Sequence, residues 1–262
     1  MSAYFLHHMI SWSARRQINF IFYIALIALV GAAIFYFVVV KQPISCGDGV
    51  KNQDELGIDC GGTCARVCQS EVVPITVRWA RALKVRDGFY DLAAFIENKN
   101  VQFVAKKITY SFKLYDQKNL LILEKRGTTS LNPGDLTIEF NPNVDAGLKI
   151  PNRVFFDISN VEWERIYTPI PKLNISFSDQ SISNDGTPRV AAKVSNYSPN
   201  DYGNVQVIAA LYDETDNVVG VSATYINALH SKETRDIVFT WPGALSPEPV
   251  SVSFYPMLYS SK

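Results

Sequence analysis

The fold is decided by the stretch ITYSFKLYD, residues 108–116. Apolar residues occupy every second position of this stretch, and side chains two residues apart lie on the same face of a β-strand. Residues 115–119, Tyr-Asp-Gln-Lys-Asn, are typical of a turn. The pattern predicts a half-buried strand that enters a hairpin, with an inner face made of Ile108, Tyr110, Phe112 and Leu114.

The same pattern returns about a hundred residues later, which indicates two copies of one domain. Residues 205–213, VQVIAALYD, alternate in the same way, and the Leu-Tyr-Asp at 211–213 matches that at 114–116. Each copy contains about seven short strands in some 95 residues, the size of an antiparallel sandwich. Three further alignments extend the repeat: 92–98 with 190–196, Ile138 and Phe140 with Ile237 and Phe239, and Val154, Phe156 and Ile158 with Val250, Val252 and Phe254.

The stretch at 112–116 also resembles a known domain signature. Phe-Lys-Leu-Tyr-Asp is similar to the signature of the FxLYD-type domain, an immunoglobulin-like sandwich of bacterial envelope proteins. The second copy departs from it, because Ala209 replaces the phenylalanine. The resemblance implies two tandem immunoglobulin-like β-sandwiches. Pro169 and Pro171 predict the boundary between them, since proline lacks a backbone donor and holds a linker extended.

An uncharged apolar run from Phe20 to Val40 precedes these domains. About twenty helical residues cover the roughly 30 Å hydrocarbon core of a bilayer, so the run predicts a transmembrane helix. Arg15 and Arg16 before it favour a cytoplasmic N-terminus. A cleaved signal peptide is the rival interpretation, but the run is longer than a signal peptide requires.

Four cysteines, the only ones in the chain, follow within about two dozen residues. An even set in one short segment predicts local disulfides, which persist in an oxidising compartment. The sequence leaves the pairing open. A zinc site with four thiolate ligands is the alternative, but such sites usually take two close Cys-x-x-Cys pairs. The predicted disulfide residues are Cys46, Cys60, Cys64 and Cys68.

The segment from Cys46 to Cys64 resembles a short module, Cys-x-Asp-Gly…Asp-Cys-Gly-Gly-x-Cys, of bacterial secreted and surface proteins. Its carboxylate and amide oxygens are of the kind that calcium selects, which makes calcium the one candidate cofactor. A solvated acidic turn, in which these residues only serve the turn geometry, is the alternative. The candidate calcium ligands are Asp48, Asn52, Asp54, Glu55 and Asp59.

The net charge and the lack of catalytic motifs argue against several classes of function. The 25 basic and 25 acidic side chains cancel, and no basic run supports nucleic-acid binding. No nucleophile elbow, phosphate loop or zinc-protease helix occurs, and the only histidine beyond the anchor is His230. We therefore expect a protein that is not an enzyme, with no binding residue identifiable from sequence.

The sequence predicts a mainly β, single-pass cell-membrane protein whose C-terminal domains lie outside the cytoplasm. Its expected function is a binding or spacer stalk, with an envelope protein or polymer as partner. A calcium-dependent adhesion module and a carboxylate hydrolase are the alternatives. The predicted segments are a cytoplasmic tail at 1–17, a transmembrane anchor at 18–41, a cysteine-rich knot at 44–70, and sandwiches at 71–168 and 171–262.

Overall fold

The computed structural model describes residues 12–40, 45–52, 54–184 and 186–258. An α-helix, α1, spans Trp12–Phe35 and continues as a π-helical turn over Tyr36–Val40. No residue of α1 is buried, and its apolar span has a mean hydropathy of 2.6. Such a helix fits a membrane anchor or a signal sequence. Residues 12–17 of the predicted tail belong to the helix, whereas residues 1–11 and 41 lie outside the described part.

Beyond the cysteine segment the described chain is mainly β, with twelve strands in four antiparallel sheets. The first sandwich contains β1 Thr76–Arg86, β2 Phe89–Glu97, β3 Phe103–Tyr115, β4 Leu121–Leu131, β5 Leu136–Asp145 and β6 Arg153–Arg165. The second contains β7 Ile175–Ser183, β8 Arg189–Asn196, β9 Tyr202–Tyr212, β10 Val218–Leu229, β11 Thr234–Thr240 and β12 Ser251–Leu258. The predicted fold class is confirmed, although each sandwich has six described strands rather than about seven.

When the six strands of each sandwich are numbered 1 to 6 along the chain, both sandwiches have the same topology. One sheet has the strand order 1-2-5 and packs against a sheet of order 4-3-6. The first pairs β1-β2-β5 with β4-β3-β6, and the second pairs β7-β8-β11 with β12-β9-β10. The alternation in β3 is confirmed, because Ile108, Phe112 and Leu114 are fully buried in the first core. The corresponding core of the second sandwich includes Val205 and Leu211.

A third hydrophobic cluster joins the two sandwiches. It lies between the outer face of β1-β2-β5 and the outer face of β10-β9-β12. Its centre is made of Ala93 and Phe95 from β2 and Ile208 and Ala210 from β9. Both middle strands are therefore buried on both faces, and the four sheets form one continuous stack.

The structure corrects two alignments of the repeat, the first of them between β5 and β11. Ile138 and Phe140 are placed opposite Phe95 and Ala93 and face the third cluster, whereas Ile237 and Phe239 lie in the second core. The true counterpart of Ile237 is Glu139, because Glu139 pairs with Ala94 as Ile237 pairs with Ala192. A shift of one residue sends every side chain of a strand to the opposite face.

The alignment of the last strands is shifted by two residues. Phe156 pairs with Phe112, and Phe254 pairs with Ala209 at the matching position of the second sandwich. The counterpart of Phe156 is therefore Phe254 rather than Val252. Because a shift of two residues keeps each side chain on its original face, Phe156 and Val252 still both face the core of their own sandwich.

Candidate ligand groove between the two sandwiches

The two sandwiches separate at one end of the third cluster and leave a groove of about 520 Å³. A smaller cavity of about 50 Å³ shares part of its lining. The residues shared by both spaces come from β1, β2 and β10 and from the segment after β11. They are Val85, Asp91, Val221, Trp241 and Pro242.

Trp241 lines the groove, is 5% exposed and packs in the second core. Its indole Nε1 donates a hydrogen bond to the backbone carbonyl of Val221 at 3.2 Å. The indole also rests against Gly220, where a Cβ would lie only 2.9 Å from Nε1. A side chain at residue 220 would push the indole out of place, so Gly220 is required for this wall.

Asp91 is the carboxylate of the groove. It lies on the same face of β2 as Ala93 and Phe95, one step beyond the end of the third cluster. Its Oδ1 accepts the backbone N–H of Asn143 at 2.7 Å. Burial raises the pKa of Asp91, and the hydrogen bond from Asn143 offsets only part of that rise. Among the described residues Asp91 has no ion-pair partner.

Aromatic and polar side chains complete the walls. Phe140 lines the groove from β5, and Tyr225 lines it from β10 with 60% of its surface exposed. The Tyr225 hydroxyl accepts a hydrogen bond from Gln206 Nε2 at 2.9 Å. The groove thus combines a partly buried carboxylate with aromatic surface, a pairing that favours organic cations.

The cations near the groove are already engaged. The Arg86 guanidinium lies over the Phe89 ring, 3.5 Å from its centroid. Lys84 Nζ contacts the Asp87 carboxylate at 2.7 Å, and this contact raises the pKa of Lys84. Arg86 also lines the groove, but among the described residues neither cation forms an ion pair with Asp91.

Acid catalysis by a carboxylate pair requires two carboxyl groups on either side of a substrate. Asp91 is the only carboxylate among the described lining residues of the groove. Asp87 and Asp145 line a different pocket, of about 480 Å³. Asp145 Oδ1 accepts the N–H of Gly147 at 2.8 Å, so both carboxylates of that pocket already have partners.

The predicted cysteine residues are all oxidised. Cys46 and Cys64 are joined by a disulfide, with 18 residues of sequence separation. Cys60 and Cys68 are disulfide-bonded as well, and no cysteine is free. Disulfide sulfurs carry no thiolate, so these four residues do not provide the thiolates that a structural zinc site needs.

The structure places three predicted calcium ligands, Asp48, Asn52 and Asp59, in one hydrogen-bonded turn of the knot. The Asp59 carboxylate accepts the backbone N–H groups of Asp48 and Gly49 at 2.9 to 3.1 Å. The Asp48 carboxylate accepts the N–H of Val50 at 2.9 Å and the side-chain amide of Asn52 at 2.8 Å. These are the bonds of an acidic turn.

The other two predicted calcium ligands are held separately. The Glu55 side chain is buried, accepts the N–H of Asn52 at 3.2 Å, and touches Cys64 Sγ at 3.3 Å. The backbone carbonyl of Asp54 lies where a Cβ on Gly62 would be, and Gly62 has a φ of +58°. Within the described residues, the close group of potential ligand atoms is Cys46, Glu55 and Cys64 rather than the acidic set. Calcium binding stays a prediction, which a fall in Tm on adding a chelator would test.

The groove was not predicted from the sequence, although two stretches of the chain indicate it. Residues 92–96, LAAFI, and 207–211, VIAAL, are continuous apolar runs. Such runs are typical of strands buried on both faces, whereas alternation is typical of one buried face. The runs predict a second packed face on β2 and β9, and the groove opens where that face ends.

Comparison with known proteins adds little. Neither the protein-family models nor the curated proteins give a match. Among solved structures, red sea bream transglutaminase is similar over 73% of this chain at 11% identity, with a TM-score of 0.25. This chain spans about a third of the length of that structure, 32%. A similarity this weak supports no conclusion about function.

Proposed function

We propose that this protein is a single-pass membrane protein that presents a rigid, non-catalytic binding module outside the cytoplasm. In this proposal the N-terminus is cytoplasmic, and an envelope protein or polymer docks in the groove between the sandwiches. The two sandwiches are two copies of an FxLYD-type domain. The observation that carries the proposal is the third hydrophobic cluster, because it fixes both walls of the groove.

The membrane location is supported by α1, which is long, apolar and unburied. The extracytoplasmic location is supported by the oxidised cysteines that follow it, since disulfides are rare in reducing compartments. The positive charges Arg15 and Arg16 precede the apolar run, which favours a cytoplasmic N-terminus.

Rigidity supports a binding role. A groove whose walls move independently must be ordered when a ligand binds, and that ordering lowers the affinity. Here Phe95 packs against Tyr255 of the other sandwich with ring centroids 5.1 Å apart. Contacts of this kind hold the groove in a binding-ready shape.

Photo-crosslinking in intact cells tests the proposal. A photoreactive phenylalanine analogue replaces Tyr225 at the groove, and the same analogue replaces Tyr197 in the matched control. Tyr197 is equally exposed, at 63%, but does not line the groove. We expect a discrete crosslinked adduct from position 225 and none from position 197. No adduct at position 225, or the same adduct at both positions, would contradict the proposal.

A further inference from the structure

We propose that the groove binds an alkylammonium group, the chemistry of a lysine side chain or a polyamine. This inference rests on the proposed binding function and specifies its ligand. The ammonium head contacts the Asp91 carboxylate, and its aliphatic chain lies along the aromatic wall. Three features of the groove support this ligand class.

The first feature is the electrostatic state of Asp91. Its carboxylate is partly buried and accepts a hydrogen bond from the Asn143 N–H. Burying a carboxylate without an opposite charge is costly, and burial raises the pKa of Asp91 accordingly. A bound cation supplies the missing charge.

The second feature is the aromatic wall. Phe140 and the exposed Tyr225 line the same space as Asp91, and Trp241, which is 5% exposed and packs in the second core, closes it. Aromatic faces attract ammonium groups and also cover the methylene carbons next to them. The Asp91 carboxylate attracts an ammonium group and repels an anionic one.

The third feature is that neither nearby cation is paired with Asp91 among the described residues. Lys84 is paired with Asp87, and the Arg86 guanidinium, which also lines the groove, lies over Phe89. The volume of about 520 Å³ exceeds that of a single side chain, so a lysine-type chain fits with room for its attachment.

Calorimetric titration of the full chain in nanodiscs tests this inference. The probes are Nα-acetyl-lysine methylamide, which represents a lysine side chain, and cadaverine, which represents a polyamine. The control ligand is the same lysine derivative acetylated at Nε, which has no charge. Sodium chloride matches the ionic strength in every titration. We expect both ammonium probes to bind and the acetylated control to bind about tenfold more weakly or not at all.

Two matched variants test whether the ammonium probes bind in the groove. Asp91→Asn keeps an oxygen for the Asn143 N–H but removes the charge, so we expect affinity for the ammonium probes to fall about tenfold or more. Asp236→Asn removes an exposed carboxylate of β11 that does not line the groove, and it should leave affinity unchanged. A preference for one probe identifies the source of the ammonium group.

Three results would overturn the inference: no binding of either ammonium probe up to about 10 mM, equal binding of the acetylated control, or unchanged affinity in Asp91→Asn. The crosslinking experiment separates this failure from failure of the proposed function. An adduct at position 225 that persists in Asp91→Asn would keep the groove as a binding site and exclude the ammonium ligand.

Discussion

Glu139 is an unusual residue for the core face of a β-sandwich. Its Oε1 accepts a hydrogen bond from the Tyr110 hydroxyl at 2.5 Å, and Asn141 Nδ2 donates to the same hydroxyl at 3.1 Å. Burial raises the pKa of Glu139. The second sandwich carries Ile237 at the matching position, so a polar network in one copy replaces an apolar contact in the other.

Replacing Glu139 by Gln should flatten the pH dependence of stability. The raised pKa means that the folded protein holds this proton at pH values where the unfolded chain has lost it. The free energy of unfolding therefore falls as pH rises from the unfolded pKa through the folded pKa. Glutamine carries no charge, so we expect Glu139→Gln to lose this part of the decline.

Denaturant titrations between about pH 4 and pH 7 measure this effect. Glu214→Gln, which removes an exposed carboxylate on the β9–β10 turn, is the control and should keep the wild-type slope. Identical pH slopes for wild type and Glu139→Gln would show that Glu139 is not held protonated by the fold.

Sequence patterns predicted the burial of Tyr110 but not its partner. The alternation in β3 places Tyr110 inside, and the structure confirms it. Glu139 was missed because Ile138 and Phe140 on either side were aligned with core residues of the second copy. Both faces of β5 are partly covered, so its apolar pattern marks the face toward the other sandwich rather than the core.

At the scale of elements, a buried asparagine ends the second strand of each sandwich. Asn98 Nδ2 donates to the backbone carbonyls of Phe103, Leu131 and Asn132. Asn196 Nδ2 likewise donates to the carbonyls of Asn200, Leu229 and His230. In both sandwiches one side chain fastens the end of a strand to two neighbouring loops.

Replacing either asparagine by alanine should be strongly destabilising. Each change removes the hydrogen bonds that a fully buried side chain donates to backbone carbonyls, at a cost of about 3 kcal/mol in the free energy of unfolding. Asn132→Ala is the control for Asn98→Ala, because the Asn132 side chain is exposed while its backbone carbonyl is retained. Chemical denaturation measures both, and equal stability of Asn98→Ala and Asn132→Ala would contradict this role.

The sequence also distinguishes the two inner sheets, which pack against each other in the third cluster, from the two outer sheets. In the alignment of the two copies, Phe95 matches Lys193 and Ile208 matches Ser111. The apolar member of each pair lies in the third cluster, and the polar member lies on an outer sheet. The sequence therefore predicts which strand faces are buried. It does not predict which sheet covers each face, because an apolar pattern does not identify the surface that packs on it.

At the scale of the whole molecule, the β1–β12 region is a stack of four sheets with three hydrophobic layers. The outermost faces carry ion pairs, such as Lys113 with Asp157 and Lys193 with Asp179, each at 2.8 Å. A polar outer face offers no large apolar surface on which a further sheet could pack. The two sandwiches were predicted from the sequence, whereas their face-to-face packing depends on contacts between residues more than a hundred positions apart.

The most direct test of this packing compares Ala93→Asp with Ala191→Asp in the full chain. The two alanines align in the repeat, but Ala93 is fully buried in the third cluster and Ala191 is partly exposed on an outer sheet. A charge at position 93 must be solvated, which separates the sandwiches. Hydroxyl-radical footprinting reads the result on Tyr255 and Met257, which lie on the other sandwich. We predict increased oxidation of both in Ala93→Asp and wild-type protection in Ala191→Asp, whereas unchanged protection in a folded Ala93→Asp protein would contradict the packing.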